Sequence, residues 1–232
     1  MSAPIAPVDP EAVHASRPRH RPHGWQFSRP ATVAREATAR IFGPPVRWLV
    51  GGPRVTGLEH VEGVEPPVIV CPTHASHFDF STLRLALGAH HRRRLAPAVA
   101  ADYFTVSRVR WFFAAWLGAF PFERKRAGAT ESFEAALDLL ASGWSVLVFP
   151  EGTRSRTGEV APFKPGVGIL AVRSGRPVLP VRMVGTRDVL PPGARRPHRA
   201  HVEVRFGAPL VAWPDEDPRD FTARLEAAVL AL

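Results

Sequence analysis

A chain of 232 residues with 45% apolar and 22% charged residues has the balance of one globular domain with a sizeable core. Its single cysteine, Cys71, rules out an internal disulfide framework and any multi-cysteine metal site. A net charge of +9 and a pI near 11.2 call for an anionic partner: nucleic acid, acidic lipid or a phosphorylated substrate.

Residues 1–30 alternate proline with Arg and His (Arg17-Pro18-Arg19-His20-Arg21-Pro22-His23) and read as a flexible basic tail with no apolar secretory core. The 25 prolines, many of them early in the chain, argue against a long N-terminal helix. A helical segment is expected over 31–53 but interrupted at Gly43-Pro44-Pro45. Its Ile41, Phe42, Val46, Trp48 and Leu49, set among Arg35, Arg40 and Arg47, suit either a membrane-facing surface or a face packed on the domain.

Gly51-Gly52-Pro53 breaks the chain, and residues 54–232 read as the main domain. Arg54–Gly57 opens a sheet, and Val68–Cys71 is a buried strand stopped by Pro72. A helix follows from Phe80 to Leu87, ended by His90-His91-Arg92-Arg93-Arg94, where positive charge suits the helix dipole. Ala96–Ala100 is a second strand. The aromatic stretch Tyr103–Leu117, with Arg108 and Arg110, fits a core helix, a bilayer interface or the floor of an acyl pocket. Its longest uncharged run, Trp111–Phe122, falls short of the roughly 20 residues a membrane span needs.

Gly118–Phe122 reads as a short strand. Thr130–Ser142 is an amphipathic helix carrying Phe133, Leu137 and Leu140 on one stripe and stopped by Gly143. Trp144–Phe149 and Val178–Val184 are further buried strands, Val202–Phe206 an edge strand, and Asp217–Leu232 a closing helix. The alternation predicts a single α/β domain: a mixed, mostly parallel sheet flanked by helices.

Two stretches carry chemistry. In Thr73-His74-Ala75-Ser76-His77-Phe78-Asp79 a His and a carboxylate meet where a strand hands over to a helix, so Asp79 can orient His74 as a base. By themselves such a pair can equally cap a helix and satisfy a turn. In Phe149-Pro150-Glu151-Gly152-Thr153-Arg154-Ser155 a carboxylate, a close-approach glycine and a phosphate-binding guanidinium share a loop that should reach the same sheet edge. Phe163-Lys164-Pro165-Gly166 brings another cation to a helix start, and Arg124 ends the strand between them.

Together these blocks resemble the glycerophospholipid acyltransferase family, whose best-known members are the 1-acylglycerol-3-phosphate acyltransferases. His74–Asp79 matches its H-x-x-x-x-D block and Gly118–Arg124 its second. Phe149–Ser155 with Phe163–Gly166 matches the third, and Val178-Leu179-Pro180-Val181 the hydrophobic-proline fourth. Order and spacing agree over roughly Arg54 to Phe206. Thr73 departs from the family's usual Asn, and Pro121 and Glu123 stand in a block that is commonly more apolar.

The resemblance implies acyl transfer from acyl-CoA or acyl-carrier protein to the free hydroxyl of a lysophospholipid, 1-acylglycerol-3-phosphate by default, with no cofactor and no metal. It makes His74 the base and Asp79 its orienter. Arg124, Glu151, Gly152, Thr153 and Arg154, with Ser76 and Lys164 as lesser candidates, would bind the acceptor. A cytoplasmic enzyme, peripheral on an anionic inner membrane face and without nucleic acid, is the corresponding expectation. Three rival readings fit the residues less well. A dinuclear metal hydrolase needs H-x-H-x-D-H, which Phe80 and the spacing break. A serine elbow needs G-x-S-x-G, which does not occur. A silent binder of anionic lipid or nucleic acid leaves the His–Asp pair without purpose.

Overall fold

The computed structural model describes residues 24–101, 107, 112, 114–122, 126–155, 157–191, 194 and 196–232. Seven strands are present among them: β1 (Arg54–Thr56), β2 (Ile69–Pro72), β3 (Leu95–Ala100), β4 (Phe120–Phe122), β5 (Ser145–Leu147), β6 (Val178–Val184) and β7 (Glu203–Phe206). They form one sheet in the order β1-β7-β6-β2-β5-β3-β4. Every pairing is parallel except β6 with β7. The expected mixed, mostly parallel sheet is what forms.

The central strands are largely apolar because both faces are covered; Ser145 of β5 and Arg182 of β6 are polar positions in them. Ile69 and Cys71 enter one core, with Leu139, Leu140, Leu170, Phe221 and Leu225; Val68 and Val70 enter the other, with Leu83, Leu87, Leu179 and Phe206. The helices over these faces are α1 (Arg29–Leu49), α2 (Leu58–Glu62), α3 (Asp79–Ala86), α4 (Ala89–Arg92), α5 (Arg126–Ala141), α6 (Gly166–Ser174), α7 (Thr186–Val189) and α8 (Pro218–Leu230). α6 and α8 approach so closely that a Cβ on Gly168 would overlap the Pro218 carbonyl.

α1 corrects the reading of the N-terminal segment. It is 21 residues long and runs through Gly43-Pro44-Pro45 without a break. Ser28 caps it, its Oγ accepting from the Ala31 N–H, and Gly51 and Gly52 (φ +66° and +67°) turn the chain away at its end. The prolines are tolerated because the carbonyls they leave unbonded belong to Arg40 and Ile41, which face water. The inner face is held independently: Glu36 bridges Arg84 at 2.8 Å and Arg92 at 2.9 Å, and Val50 joins Val189 and Val202 in a third small core. Tertiary contacts outweigh local propensity here.

Three further expectations change. β7 is an interior strand, since β1 pairs alongside it and takes the edge. The helix after the first motif stops at Ala86; Leu87 is extended, and His90–Arg92 lie in a separate turn of helix, α4. α5 begins at Arg126, ahead of Thr130. The basic tail before residue 24 lies outside the described residues.

Candidate active site

β2, β3, β4, β5 and β6 run parallel, so the segments leaving their C-terminal ends gather on one edge of the sheet. His74 leaves β2 there, and the loop Phe149–Ser155 leaves β5 beside it. β4 ends on the same edge; Arg124, two positions later, lies outside the described residues.

His74 Nδ1 is 2.8 Å from Asp79 Oδ2. The same oxygen accepts from the N–H groups of Ala75 and Ser76, each at 2.8 Å, so the short loop wraps around the carboxylate. Asp79 opens α3, where the helix dipole favours negative charge, and its side chain is fully buried while that of His74 keeps 20% exposure. An ionised Asp79 accepts at Nδ1–H, which assigns that proton and leaves Nε2 as the free lone pair. Asp79 Oδ1 is buried with no hydrogen-bond partner among the described residues. The His74 ring lies against Phe149, centroids 3.7 Å apart and planes 17° apart, so its apolar faces are fixed as well.

Glu151 joins the two loops. Its Oε1 accepts from the His74 N–H at 2.7 Å and its Oε2 from the Ala161 N–H at 2.9 Å, and the residue is buried. Burial pushes its carboxyl above the ordinary carboxylate value, and the Ala161 and His74 N–H bonds pull the other way. The Ser155 N–H donates back to the His74 carbonyl at 2.8 Å. Ser76 is also buried, its Oγ accepting from the Phe78 N–H at 3.3 Å. Both Ser76 and Glu151 therefore turn oxygens into the loops that they hold together.

The remaining candidates face solvent beside His74. Arg154 and Thr153 are exposed, and Arg154 has no hydrogen-bond or ion-pair partner among the described residues. Gly152 adopts φ +74°, and a Cβ there would come within 2.7 Å of Lys164 Nζ, so only glycine lets the lysine lie over this turn. Lys164 is exposed, and its N–H ties to the Pro150 carbonyl at 2.9 Å. Desolvation, then the nearby Arg154 and His74, hold the His77 imidazole below its usual range although the residue reaches the surface. Among the described residues no three His, Cys, Asp or Glu side chains converge as a metal ion requires.

Two supporting groups owe their roles to the fold. Thr73 Oγ1 accepts from the Met183 N–H at 2.9 Å and bonds its carbonyl at 3.3 Å, pinning the base-bearing loop to β6. At the position where the family usually has Asn, Thr73 thus makes a clamp across strands. Phe149 stood inside a quoted motif, and only the fold shows that its ring meets the imidazole.

An α/β sheet with a His–Asp pair and a cationic loop at its carboxyl edge defines a candidate acyl-transfer site. The acyltransferase family model matches residues 52–184, and the chain belongs to that family, the one its four blocks resemble. It is similar to the 1-acyl-sn-glycerol-3-phosphate acyltransferase BAT2, chloroplastic, of Brassica napus: 30% identity over 141 residues, covering 60% of this chain and 39% of that one. The human 1-acyl-sn-glycerol-3-phosphate acyltransferase alpha is 31% identical over 170 residues, 71% of this chain and 58% of that one. The chain thus spans about two fifths to three fifths of these relatives' lengths. The crystal structure of the 1-acyl-sn-glycerophosphate (LPA) acyltransferase PlsC from Thermotoga maritima shares the fold, with a TM-score of 0.65, 24% identity and coverage of 87% of this chain and 79% of that one.

Proposed function

We propose that this chain transfers a fatty acyl group from an acyl-CoA or acyl-carrier-protein thioester to the free hydroxyl of 1-acylglycerol-3-phosphate, giving phosphatidic acid. The observation that carries this is the His74–Asp79 pair at 2.8 Å, with Nε2 left open beside the exposed Arg154 and Lys164. The activity in the relatives' names supports the choice of acceptor.

In this reading His74 Nε2 takes the hydroxyl proton as the oxygen attacks the thioester carbon. The C–O bond forms, the C–S bond breaks, and the proton passes from the imidazolium to the leaving thiolate. Asp79 fixes the tautomer and stabilises the imidazolium. Arg154 and Arg124 bind the acceptor phosphate, with Lys164, Gly152 and Thr153 completing that side. No acyl-enzyme is needed. Acyl transfer to lysophosphatidate from both thioesters, in wild type, His74→Ala and Arg154→Ala, tests the assignment. Activity lost in both variants is expected; a folded but inactive wild type would redirect the search to another lipid head group.

The same reading puts the protein peripherally on the anionic inner face of the cell membrane. No described helix is long and apolar enough to cross a bilayer. α1 instead exposes a stripe with helical spacing, Val33 (70% exposed), Ile41 (69%) and Trp48 (64%), beside Arg29, Arg40 and Arg47. Trp25, Phe112 and Trp116 form an aromatic cluster near its start, a surface suited to acyl chains. Co-sedimentation with phosphatidylglycerol vesicles that survives Ile41→Ser with Trp48→Ser would refute this membrane face.

A further inference from the structure

We infer that Arg35 is a positioning residue for the acceptor site: it clamps the turn that leads into β4, the strand that in sequence ends two positions before Arg124, read above as a phosphate binder. The inference rests on the acyl-transfer reading above.

Arg35 is only 3% exposed, and no carboxylate pairs with it among the described residues. Its one acidic neighbour in sequence, Glu36, is already held by Arg84 and Arg92. Burial, with Arg84 second, lowers the guanidinium to about 10, so the fold bears a real cost in keeping this cation inside. What it gains is a pair of backbone contacts between segments far apart in sequence. Nε donates to the Trp116 carbonyl at 2.6 Å and Nη2 to the Gln26 carbonyl at 2.7 Å.

The Trp116 contact sits at a particular place. The helical turn ending there closes with Gly118 N–H to the Ala115 carbonyl and Ala119 N–H to the Ala114 carbonyl, both at 2.9 Å, around Gly118 at φ +77°. That is a Schellman ending, which leaves the Trp116 carbonyl exposed at the negative end of the turn. Arg35 caps it from another element. The guanidinium packs flat on Gly118, where a Cβ would stand 2.9 Å from Cζ. The chain then runs directly into β4, a three-residue edge strand with β3 as its one neighbour. So short a strand has little pairing to set its position, and the capped turn before it supplies the rest. Arg35 belongs to α1, so the helix that carries the exposed apolar stripe is tied through this side chain to the turn that precedes β4.

The test uses the full chain and reads binding as well as turnover. Lysophosphatidate affinity is measured calorimetrically in the His74→Ala background with and without Arg35→Met. KM and kcat are measured for Arg35→Met, Arg35→Lys and Gly118→Ala in the active protein. A weakening of acceptor binding by about tenfold is expected, with acceptor KM rising to match. kcat and thioester KM should stay within about twofold, and Arg35→Lys, which reaches one carbonyl, should restore part of the loss. Gly118→Ala should copy Arg35→Met by pushing the guanidinium away. Unchanged acceptor affinity in Arg35→Met, or equal losses for both substrates, would overturn the assignment. Absent acyl transfer by wild type would overturn the underlying reading, while the binding pair would still decide Arg35. Absent lysophosphatidate binding in the His74→Ala parent would overturn both.

Discussion

Asp79 holds three donors on one oxygen: the imidazole of His74 and two backbone N–H groups. Asp79→Asn keeps the shape but removes the charge that stabilises an imidazolium, and its amide can present N–H where Nδ1–H should be accepted. A kcat lower by about two to four orders of magnitude is expected, with little change in thermal stability. Glu151 behaves differently, since it meets no candidate substrate group and ties two loops together by backbone contacts. Glu151→Gln turns one acceptor into a donor facing a backbone N–H, so it should cost about 1–3 kcal/mol of stability by denaturant unfolding and lower activity through loosening of the loop. Thr73→Val deletes both bonds to Met183 in a buried site and should cost a similar amount. The comparison of the three variants separates charge chemistry from scaffolding.

At the scale of the element, α1 is a helix that its own sequence opposes. Pro44 and Pro45 each withhold a donor, yet packing on Val189 and Val202 and the Glu36 bridges hold the helix straight through them. Pro44→Ala should therefore stabilise the protein, by less than about 3 kcal/mol because the lost bond is already hydrated; chemical unfolding would measure it. β4 makes the opposite case. Pro121 fits there because β4 lies on the sheet edge, where a missing N–H need not break a ladder.

For the whole molecule, pH dependence should appear on the acid side. His91 is buried with Nδ1 unpartnered among the described residues, and burial followed by the neighbouring His90 holds its imidazole below 6.5, against the pull of the Val61 carbonyl and Glu65. A depressed value means the folded state resists the proton that the unfolded chain accepts. That contribution to stability is full above about 6.5 and is lost as pH falls through the folded value. Melting temperature should fall as pH drops below about 6.5, and less steeply in His91→Gln. An identical slope in the variant would place the effect elsewhere, with His77 the next group of the same sign.

The sequence alone determined the sheet class, most strand positions and the motif-bearing loops. Buried parallel strands need continuous apolar runs, and His74–Asp79 and Phe149–Ser155 are contiguous stretches whose chemistry is local. Tertiary structure decided what depends on neighbours distant in the chain. The unbroken α1, the interior place of β7 and the inward turn of Ser76 and Glu151 were not legible. All but the Ser76 contact, which is with Phe78 two residues on, are settled by hydrogen bonds or packing from residues tens of positions away, which local propensity does not encode. Arg35 shows this most clearly: in sequence it is one arginine among several on a helix, and only its burial against Trp116 and Gly118 gives it a distinct task.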